Sequence, residues 1–131
     1  MEKSMTKERL LNFAKAWSEK SIEQIMDFFT EDCVYCPSIV DEKKKFQGKA
    51  EVQRAIERMI AMDNTIASKV SQIHIHGEFG FWEWEYTTTD LQQIRGCDYF
   101  EFSKEFIHVK NAYRKLGANR TKNDSQKTWL D

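Results

Sequence analysis

The chain has 131 residues and a mass of 15.6 kDa, 40% of its residues are hydrophobic, and its formal net charge is −1. This length predicts one domain that can bury roughly two-thirds of its unfolded surface without disulfide or metal support. Twenty basic and 21 acidic residues create no overall field for nucleic acid or an acidic membrane, and no apolar run approaches membrane-spanning length. We therefore expect a cytoplasmic protein that binds neither nucleic acid nor membrane.

The three cysteines favour a reducing compartment, because an odd number cannot form a closed disulfide framework in one chain. Cys33 and Cys36 form a C-x-x-C string, a spacing that occurs in zinc and redox sites. The string Cys-Val-Tyr-Cys is typical of a strand, however, in which residues three apart face opposite sides. No second Cys or His pair follows at zinc-finger spacing, so we predict no metal site here.

The first helix is predicted by apolar residues at spacings of three, four and seven. Ser4 or Thr6 can cap it, and it ends near Trp17. A second helix begins after Ser21, which has capping-box spacing to a glutamine three residues later. We expect this second helix to bury Phe29 near its end.

A short strand and a third helix follow. The strand runs from Cys33 to Cys36 and stops at Pro37, which cannot continue a ladder of hydrogen bonds. A mixed-charge run, Asp-Glu-Lys-Lys-Lys, predicts a solvated loop. Gly48 then precedes a helix from about Lys49 to Met62 with an apolar stripe on one side.

Beyond residue 64 the period of the apolar residues changes from helix to strand. The phase shifts between Val70 and Ile73, which predicts a bulge or bend in the first of these strands. Turns and polar connections separate three longer runs, at about residues 81–88, 96–102 and 106–114. Helices followed by a meander of antiparallel strands indicate an α+β fold with helices covering one sheet face. The tail, residues 117–131, is polar and aperiodic, so we expect it to be mobile or to cover a neighbour.

One face of the tryptophan-rich strand is strongly aromatic. Alternation places Trp82, Trp84 and Tyr86 on the same side. On the next strand Asp98 shares a face with Phe100. A carboxyl group among apolar side chains is costly unless it is hydrogen-bonded, neutral or in contact with a ligand. This pattern predicts a lined cavity with Asp98 in its wall.

Several sequence features in a fixed order now identify a family resemblance, which spans about residues 5 to 115. They are Phe13 and Trp17 on the first helix, Phe28-Phe29-Thr30-Glu31-Asp32, Gly48-Lys49-Ala50-Glu51-Val52, Trp84-Glu85, and Gly96-Cys97-Asp98-Tyr99-Phe100-Glu101-Phe102. The chain resembles the SnoaL-like branch of the nuclear transport factor 2 (NTF2) superfamily, which includes ketosteroid isomerase and polyketide cyclases.

The resemblance implies a particular architecture. The family has a cone-shaped, strongly curved, mostly antiparallel sheet wrapped around three N-terminal helices, the cystatin-like or NTF2-like α+β barrel. An apolar pocket opens at one end, and members often form homodimers through the outer sheet face. On this basis residues 1–116 are predicted to form the SnoaL-like domain, followed by the tail, and a homodimer is expected.

The catalytic positions of ketosteroid isomerase are only partly retained in this chain. The resemblance places Asp98 where the isomerase has the acid of its oxyanion hole, which an apolar site keeps protonated. Phe13 falls at the position of the oxyanion-hole tyrosine, and its ring has no hydroxyl. The general base should lie near Cys36 and Pro37, and neither residue is a carboxylate. Isomerase chemistry by the known route is therefore not expected.

The last strand supplies the remaining candidate polar groups. If Val109 faces inward, Asn111 and Tyr113 share its face while Lys110 points outward. We predict Asp98, Asn111 and Tyr113 as catalytic residues, with Asp98 as acid or proton shuttle. The predicted ligand-binding residues are mostly aromatic: Phe13, Trp17, Tyr35, Met59, Trp82, Trp84, Tyr86 and Phe100.

Two purely structural interpretations stand beside these predictions. Asp98 can simply hydrogen-bond Asn111 or Tyr113 and tie adjacent strands together. The aromatic stripe can be core, although indole N–H and phenol O–H groups need partners, which favours a partly wet cavity.

The His-Ile-His sequence at residues 74–76 presents a separate question. Both imidazoles lie on one face, as in some metal sites. Ile73 and Ile75 claim the opposite face as core, which leaves His74 and His76 outside, so we predict neither a metal nor a cofactor.

The function expected from the sequence is the binding of a small hydrophobic or aromatic molecule. If the protein is an enzyme, the resemblance implies a cofactor-free isomerase, cyclase or dehydratase that uses Asp98. The alternative is a non-catalytic binding or accessory domain, or a protein-interaction domain, on the same fold.

Overall fold

A computed structural model describes residues 3–39 and 43–116 of the chain. The predicted behaviour of the tail, residues 117–131, lies outside the described residues. Three helices and seven strands occur in the described part. None of these helices is long and apolar enough to cross a membrane.

Helix α1 (Lys7–Ser18) confirms the predicted first helix. Thr6 is its N-cap, in extended conformation, and its side-chain oxygen accepts a hydrogen bond of 3.1 Å from the backbone N–H of Arg9. This bond satisfies one of the backbone donors that a helix start leaves unpaired. Leu10, Phe13 and Ala16 are buried on one face, which fixes α1 against the sheet.

Helix α2 (Ile22–Met26) is shorter than the sequence predicted, and Ser21 makes no side-chain capping bond. The chain leaves the helix before Phe29, which is instead the first residue of strand β1 (Phe29–Cys36). Phe29 is 2% exposed and pairs with Ile107 on the last strand. The expectation of a helical Phe29 was wrong. A helix and a strand would both bury this ring, and the choice between them is decided by strand pairing, which a local sequence pattern does not show.

Helix α3 (Lys49–Met62) has the predicted bounds and buries Val52, Ala55 and Ile56. A two-residue strand, β2 (Phe46–Gln47), precedes it and pairs with β1 where the sequence predicted only a loop. Gly48, which lies between β2 and α3, has φ +85°. That conformation is in the left-handed half of the map, where a residue without Cβ is favoured.

The remaining strands are β3 (Thr65–Val70), β4 (His74–His76), β5 (Phe79–Thr88), β6 (Gln93–Ser103) and β7 (Phe106–Arg114). The predicted phase shift between Val70 and Ile73 is confirmed, since the chain breaks there into β3 and β4, both of which pair with β5. The sheet order is β2-β1-β7-β6-β5-β3, and β1 and β7 are parallel while the other pairs are antiparallel. The sheet is mixed and open, not closed into a barrel, and its cone shape and strong curvature stay predictions.

Strand β7 contains an irregularity that reverses the predicted inside and outside of its second half. The register shifts between Glu101 and Phe102 of β6, opposite the stretch from Ile107 to Val109. Ile107 and Lys110 are both buried although they are three residues apart, a spacing that regular alternation forbids. The prediction that Lys110 points outward was therefore wrong.

A single aromatic cluster joins α1 to the sheet. The ring of Phe13 lies 5.7 Å from that of Phe29, 6.2 Å from that of Phe100 and 6.4 Å from that of Trp82. Phe13 and Phe100 have no exposed surface. Full burial of a ring of this size contributes about 1.5–3 kcal/mol relative to leaving it exposed.

Candidate functional site

Asp98 lies in the interior, 3% exposed, and both of its carboxylate oxygens accept hydrogen bonds. The indole Nε1 of Trp82, directly opposite on β5, donates to Oδ2 at 2.8 Å. The Nζ of Lys110 on β7 donates to Oδ1 at 3.3 Å. Asp98 is thus an acceptor in both contacts. This arrangement differs from the hydrogen-donating acid that the resemblance to ketosteroid isomerase implied.

Lys110, which the sequence reasoning placed outside, is the main addition to the site. It is 4% exposed, and its Nζ lies 4.3 Å from the ring centre of Trp17 and 5.3 Å from that of Tyr35. These are cation–π contacts, which are strongest where water is excluded. Its ammonium donates one hydrogen bond, to Asp98, and the described residues offer no oxygen or nitrogen acceptor to its other two N–H bonds.

The position of Lys110 follows from strand pairing on both sides of β7. Lys110 lies opposite Phe100 of β6 and beside Tyr35 of β1, so all three face the interior. The sequence contained one indication that Lys110 faces inward. Ile107 and Ala112 are apolar but differ in parity, so burying both requires an irregularity between them.

Tyr35 presents a second group with spare hydrogen-bonding capacity. It is 4% exposed, and its hydroxyl has no hydrogen-bond partner among the residues the structure describes. Burial, with a smaller contribution from the charge of Asp98, raises the pKa of Tyr35 above its ordinary value. The phenol therefore stays neutral and able to donate. A buried polar group without a partner calls for a physical explanation, and a bound molecule or water is one.

The eight predicted ligand-binding residues come together in the fold. Phe13, Tyr35, Trp82 and Phe100 are buried, and Trp17, Met59 and Trp84 pack half-buried against the same core. Tyr86 completes the set by stacking on Trp84 with ring centres 5.6 Å apart. Their proximity is a feature of the structure, and their contact with a ligand stays a prediction.

Asn111 and Tyr113 lie on the opposite face of β7 from Asp98. They pair with Tyr99 and Cys97, whereas Ala112 lies opposite Asp98. The amide Nδ2 of Asn111 donates to the hydroxyl of Tyr113 at 2.9 Å, in exposed surroundings. Their predicted placement beside Asp98 was wrong, because the irregularity in β7 moved the whole second half of the strand by one residue.

The purely structural interpretation of Asp98 is corrected in the same way. Asp98 does tie adjacent strands together, but its partners are Trp82 and Lys110 rather than Asn111 or Tyr113.

The histidine pair faces outward as predicted, since Ile73 and Ile75 belong to the core. His74 stacks on Phe81 with ring centres 4.5 Å apart, and His76 is exposed. Within residues 3–39 and 43–116, no group of three His, Cys, Asp or Glu side chains is arranged to hold a metal ion. Cys33 and Cys36 lie on opposite faces of β1, as expected for a strand.

The described part of the chain has surface depressions, and two of them lie away from Asp98. One, of about 300 Å³, includes Asp32, Phe102 and His108 in its lining, and the other, of about 230 Å³, includes Phe46 and Arg58. Neither is lined by Asp98 or Lys110. The predicted cavity with Asp98 in its wall therefore stays a prediction.

A family profile for the SnoaL-like domain matches residues 10–108. Solved structures with the same fold include an NTF2-like protein of unknown function from Burkholderia xenovorans, 15% identical, with a TM-score of 0.70 over 92% of this chain and 91% of that one. A protein with a cystatin-like fold from Methylobium petroleophilum is 11% identical, with a TM-score of 0.68 over 95% and 93%. A protein with a ketosteroid isomerase-like fold from Catenulispora acidiphila, in complex with trimethylamine, is 17% identical, with a TM-score of 0.71 over 86% and 88%. No curated protein matches the sequence significantly.

Proposed function

The chain belongs to the SnoaL-like domain family, and from the site it carries we propose that it binds a small apolar or aromatic molecule bearing a carbonyl or carboxylate oxygen. The oxygen lies beside Lys110 and Tyr35, and the apolar part packs among the aromatic side chains around Trp17. The fold by itself does not select a function, so the argument depends on the polar groups of the interior.

The observation that carries the proposal is the unused hydrogen-bonding capacity of two paired residues of β1 and β7 in an apolar interior. Lys110 has two N–H bonds and Tyr35 has one O–H without acceptors among the described residues. A ligand oxygen would accept from both. Binding sites for small molecules typically have this composition, with apolar walls and a few converging polar groups that orient the ligand.

Trp17 provides the way in. Its ring lies 4.3 Å from the ammonium of Lys110 and is itself half-buried, so it is the side chain that an incoming ligand would displace. Met59, Trp84 and Tyr86 are half-buried as well. Displacement of Trp17 by an aromatic ligand exchanges one ring for another over the same cation.

A second candidate function is cofactor-free acid–base catalysis, favoured by the buried carboxylate–ammonium pair. The carboxylate of Asp98 would accept a proton from a carbon next to the carbonyl group, and Lys110 would stabilise the negative oxygen that develops. Isomerisation, cyclisation and dehydration all use such a step. In this scheme Lys110 takes the part that a neutral acid plays in ketosteroid isomerase, and Asn111 and Tyr113 have none because they face outward.

A non-catalytic binding or accessory domain is the alternative. It is favoured by the residues Cys36 and Pro37, neither of which is a carboxylate, at the place where the family's general base is expected. Binding without turnover of any carbonyl compound would support this alternative, and turnover that depends on Asp98 would exclude it.

The test compares ligands that differ in one polar group. We expect benzoate or acetophenone to raise the melting temperature more than toluene, which lacks the oxygen. At a concentration 100 times Kd the stabilisation is about 2.7 kcal/mol. Native mass spectrometry of the purified protein checks independently for a co-purifying molecule.

The matched variants remove the polar groups while avoiding a lone buried charge, which would cost about 3–5 kcal/mol. The double variant Asp98→Asn with Lys110→Met removes both charges and keeps an acceptor for Trp82. It should lose the preference for benzoate and acetophenone, whereas Lys69→Met, on the exposed side of β3, should keep it. Equal responses to all three compounds in the unchanged protein, with no co-purifying molecule, would exclude the proposal.

A further inference from the structure

The amine of Lys110 is in surroundings that differ from those of an ordinary surface lysine. It lies in the middle of β7, 4% exposed, and its Nζ is in contact with the rings of Trp17 and Tyr35. The only other buried charged residue in the described part of the chain is Asp98. Lysines that act as nucleophiles are often enclosed by apolar groups, and here the carboxylate in contact can accept the proton that the ammonium must lose.

From this geometry we infer that Lys110 forms a covalent imine with an aldehyde or ketone group of the bound molecule. The inference rests on the proposed function, because the molecule must first enter beside Lys110. It goes beyond that function by naming the reactive class, carbonyl compounds with an apolar or aromatic substituent, and the atom to which they attach.

Asp98 is placed to handle the protons that this chemistry requires. Its Oδ1 lies 3.3 Å from Nζ of Lys110, so the ammonium can pass one proton to the carboxylate and become a neutral amine. The ion pair and the neutral pair that replaces it both have zero net charge, so the transfer creates no unpaired charge in the interior. Tyr35 can donate its hydroxyl to the carbonyl oxygen while the amine attacks.

The steps balance without an oxidant or reductant. The nitrogen lone pair forms a bond to the carbonyl carbon while the π electrons move to oxygen, which takes a proton from Asp98. Asp98 then removes a proton from nitrogen and returns it to the hydroxyl group, which leaves as water as the C=N bond forms. Overall, an ammonium and a carbonyl give a protonated imine and one water, and Asp98 is again a carboxylate.

The experiment traps the imine by reduction. The full chain is incubated with benzaldehyde and borohydride, and the modified lysine is located by peptide mass mapping. We expect Lys110 to be modified first and to one equivalent, ahead of exposed lysines such as Lys69. Modification spread over exposed lysines, with Lys110 unmodified, would overturn the inference.

Two variants separate a chemical role from a structural one. Lys110→Arg keeps a cation for Asp98 and should stay folded but give no single-site product. Asp98→Asn leaves Lys110 without its charged partner, so circular dichroism first checks that the variant is folded. The folded variant should slow trapping at Lys110 by about 100-fold, the lower end of what a positioned acid–base group contributes. Trapping at an unchanged rate in Asp98→Asn would remove Asp98 from the reaction.

The failure of this inference can be told apart from failure of the proposed function. Benzoate cannot form an imine under these conditions, so its binding depends only on the pocket. If benzoate binds while benzaldehyde leaves Lys110 unmodified, the imine is excluded and the binding function stands. If neither compound binds or reacts, both are excluded.

Discussion

At the scale of single residues, the site is defined by which side chains share the carboxylate of Asp98. Trp82 and Lys110 donate to one oxygen each, so both oxygens of the carboxylate have a partner within the protein. Its partners are not equivalent. The indole of Trp82 has no hydrogen-bonding capacity left, whereas the ammonium of Lys110 has two N–H bonds without protein acceptors among the described residues. Lys110 is therefore the group that can engage a ligand.

Replacement of Trp82 by Phe should destabilise the protein through Asp98. The change leaves Oδ2 of a buried carboxylate without its 2.8 Å donor, which costs about 1–3 kcal/mol in addition to the lost ring volume. Urea unfolding measures the effect. Trp84→Phe is the control, because it removes the same atoms from an indole whose N–H donates no hydrogen bond to any described residue. Equal losses in the two variants would show that the Trp82–Asp98 bond contributes nothing.

The stability of the protein should fall in alkali because of two buried groups on β1. Burial raises the pKa of Cys33 from an ordinary 9.0 to about 11, and it also raises the pKa of Tyr35 above 10.0. The unfolded chain then loses these protons at lower pH than the folded one. The stabilisation that the two protonated side chains contribute is complete below about pH 9. It is lost as the pH rises through their pKa values in the folded protein.

Urea unfolding at pH 8 and pH 10.5 checks this sign. The free energy of unfolding should be lower at pH 10.5 than at pH 8. The decrease between these two pH values should be smaller in the double variant Cys33→Ala with Tyr35→Phe. An identical pH dependence in the variant and the unchanged protein would contradict the assignment to Cys33 and Tyr35.

At the scale of elements, a helix or strand could be predicted from the sequence where its own residues specify it. Helices α1 and α3 and the bounds of strand β7 could be predicted closely, because a cap, a glycine or a turn marks their ends and the apolar period of the two helices is regular. The end of α2 and the inward face of β7 could not. Phe29 and Lys110 take their positions from pairing with neighbouring strands, and local patterns do not encode that pairing.

Gly96 of β6 gives an element-scale prediction. A Cβ at this position would meet the carbonyl oxygen of Tyr113 and, at 2.5 Å, the ring of Trp84, which lies over the glycine from β5. Gly96→Ala should therefore destabilise the protein by about 1–3 kcal/mol through forced shifts of β5 and β7. Thermal unfolding measures the change.

Gly48→Ala is the comparison for Gly96→Ala, since no atom lies within 4 Å of its Cβ position and only its φ of +85° opposes the change. A melting temperature unchanged in Gly96→Ala would show that the two strands yield easily.

At the scale of the whole molecule, the outer face of the sheet carries exposed aromatic rings. Phe79, Phe81 and Tyr113 are 52%, 43% and 58% exposed. Tyr99 lies between the strands that carry them, and its ring stacks on Phe79 with centres 6.2 Å apart. Aromatic surface of this kind is typical of protein interfaces. The resemblance to NTF2-like proteins predicts a homodimer through this face.

Sedimentation of the unchanged protein and of Phe81→Arg tests the dimer. We expect a dimer in the first case and a monomer with unchanged circular dichroism in the second, because a cation in a closely packed apolar interface loses its hydration. Leu11→Arg, at a half-exposed position on α1, is the control and should remain dimeric. A monomeric unchanged protein would end this prediction.

The sequence by itself determined the fold family, the helices of regular period, the aromatic composition of the interior and the presence of Asp98 within it. These depend on local periodicity and on which side chains avoid water, and both are properties of short segments. Only the tertiary structure decided the partners of Asp98. A one-residue irregularity in β7, set by pairing with β6 and β1, turned Lys110 inward and Asn111 and Tyr113 outward. Because alternation has a period of two, that single residue exchanged the chemistry of the two faces.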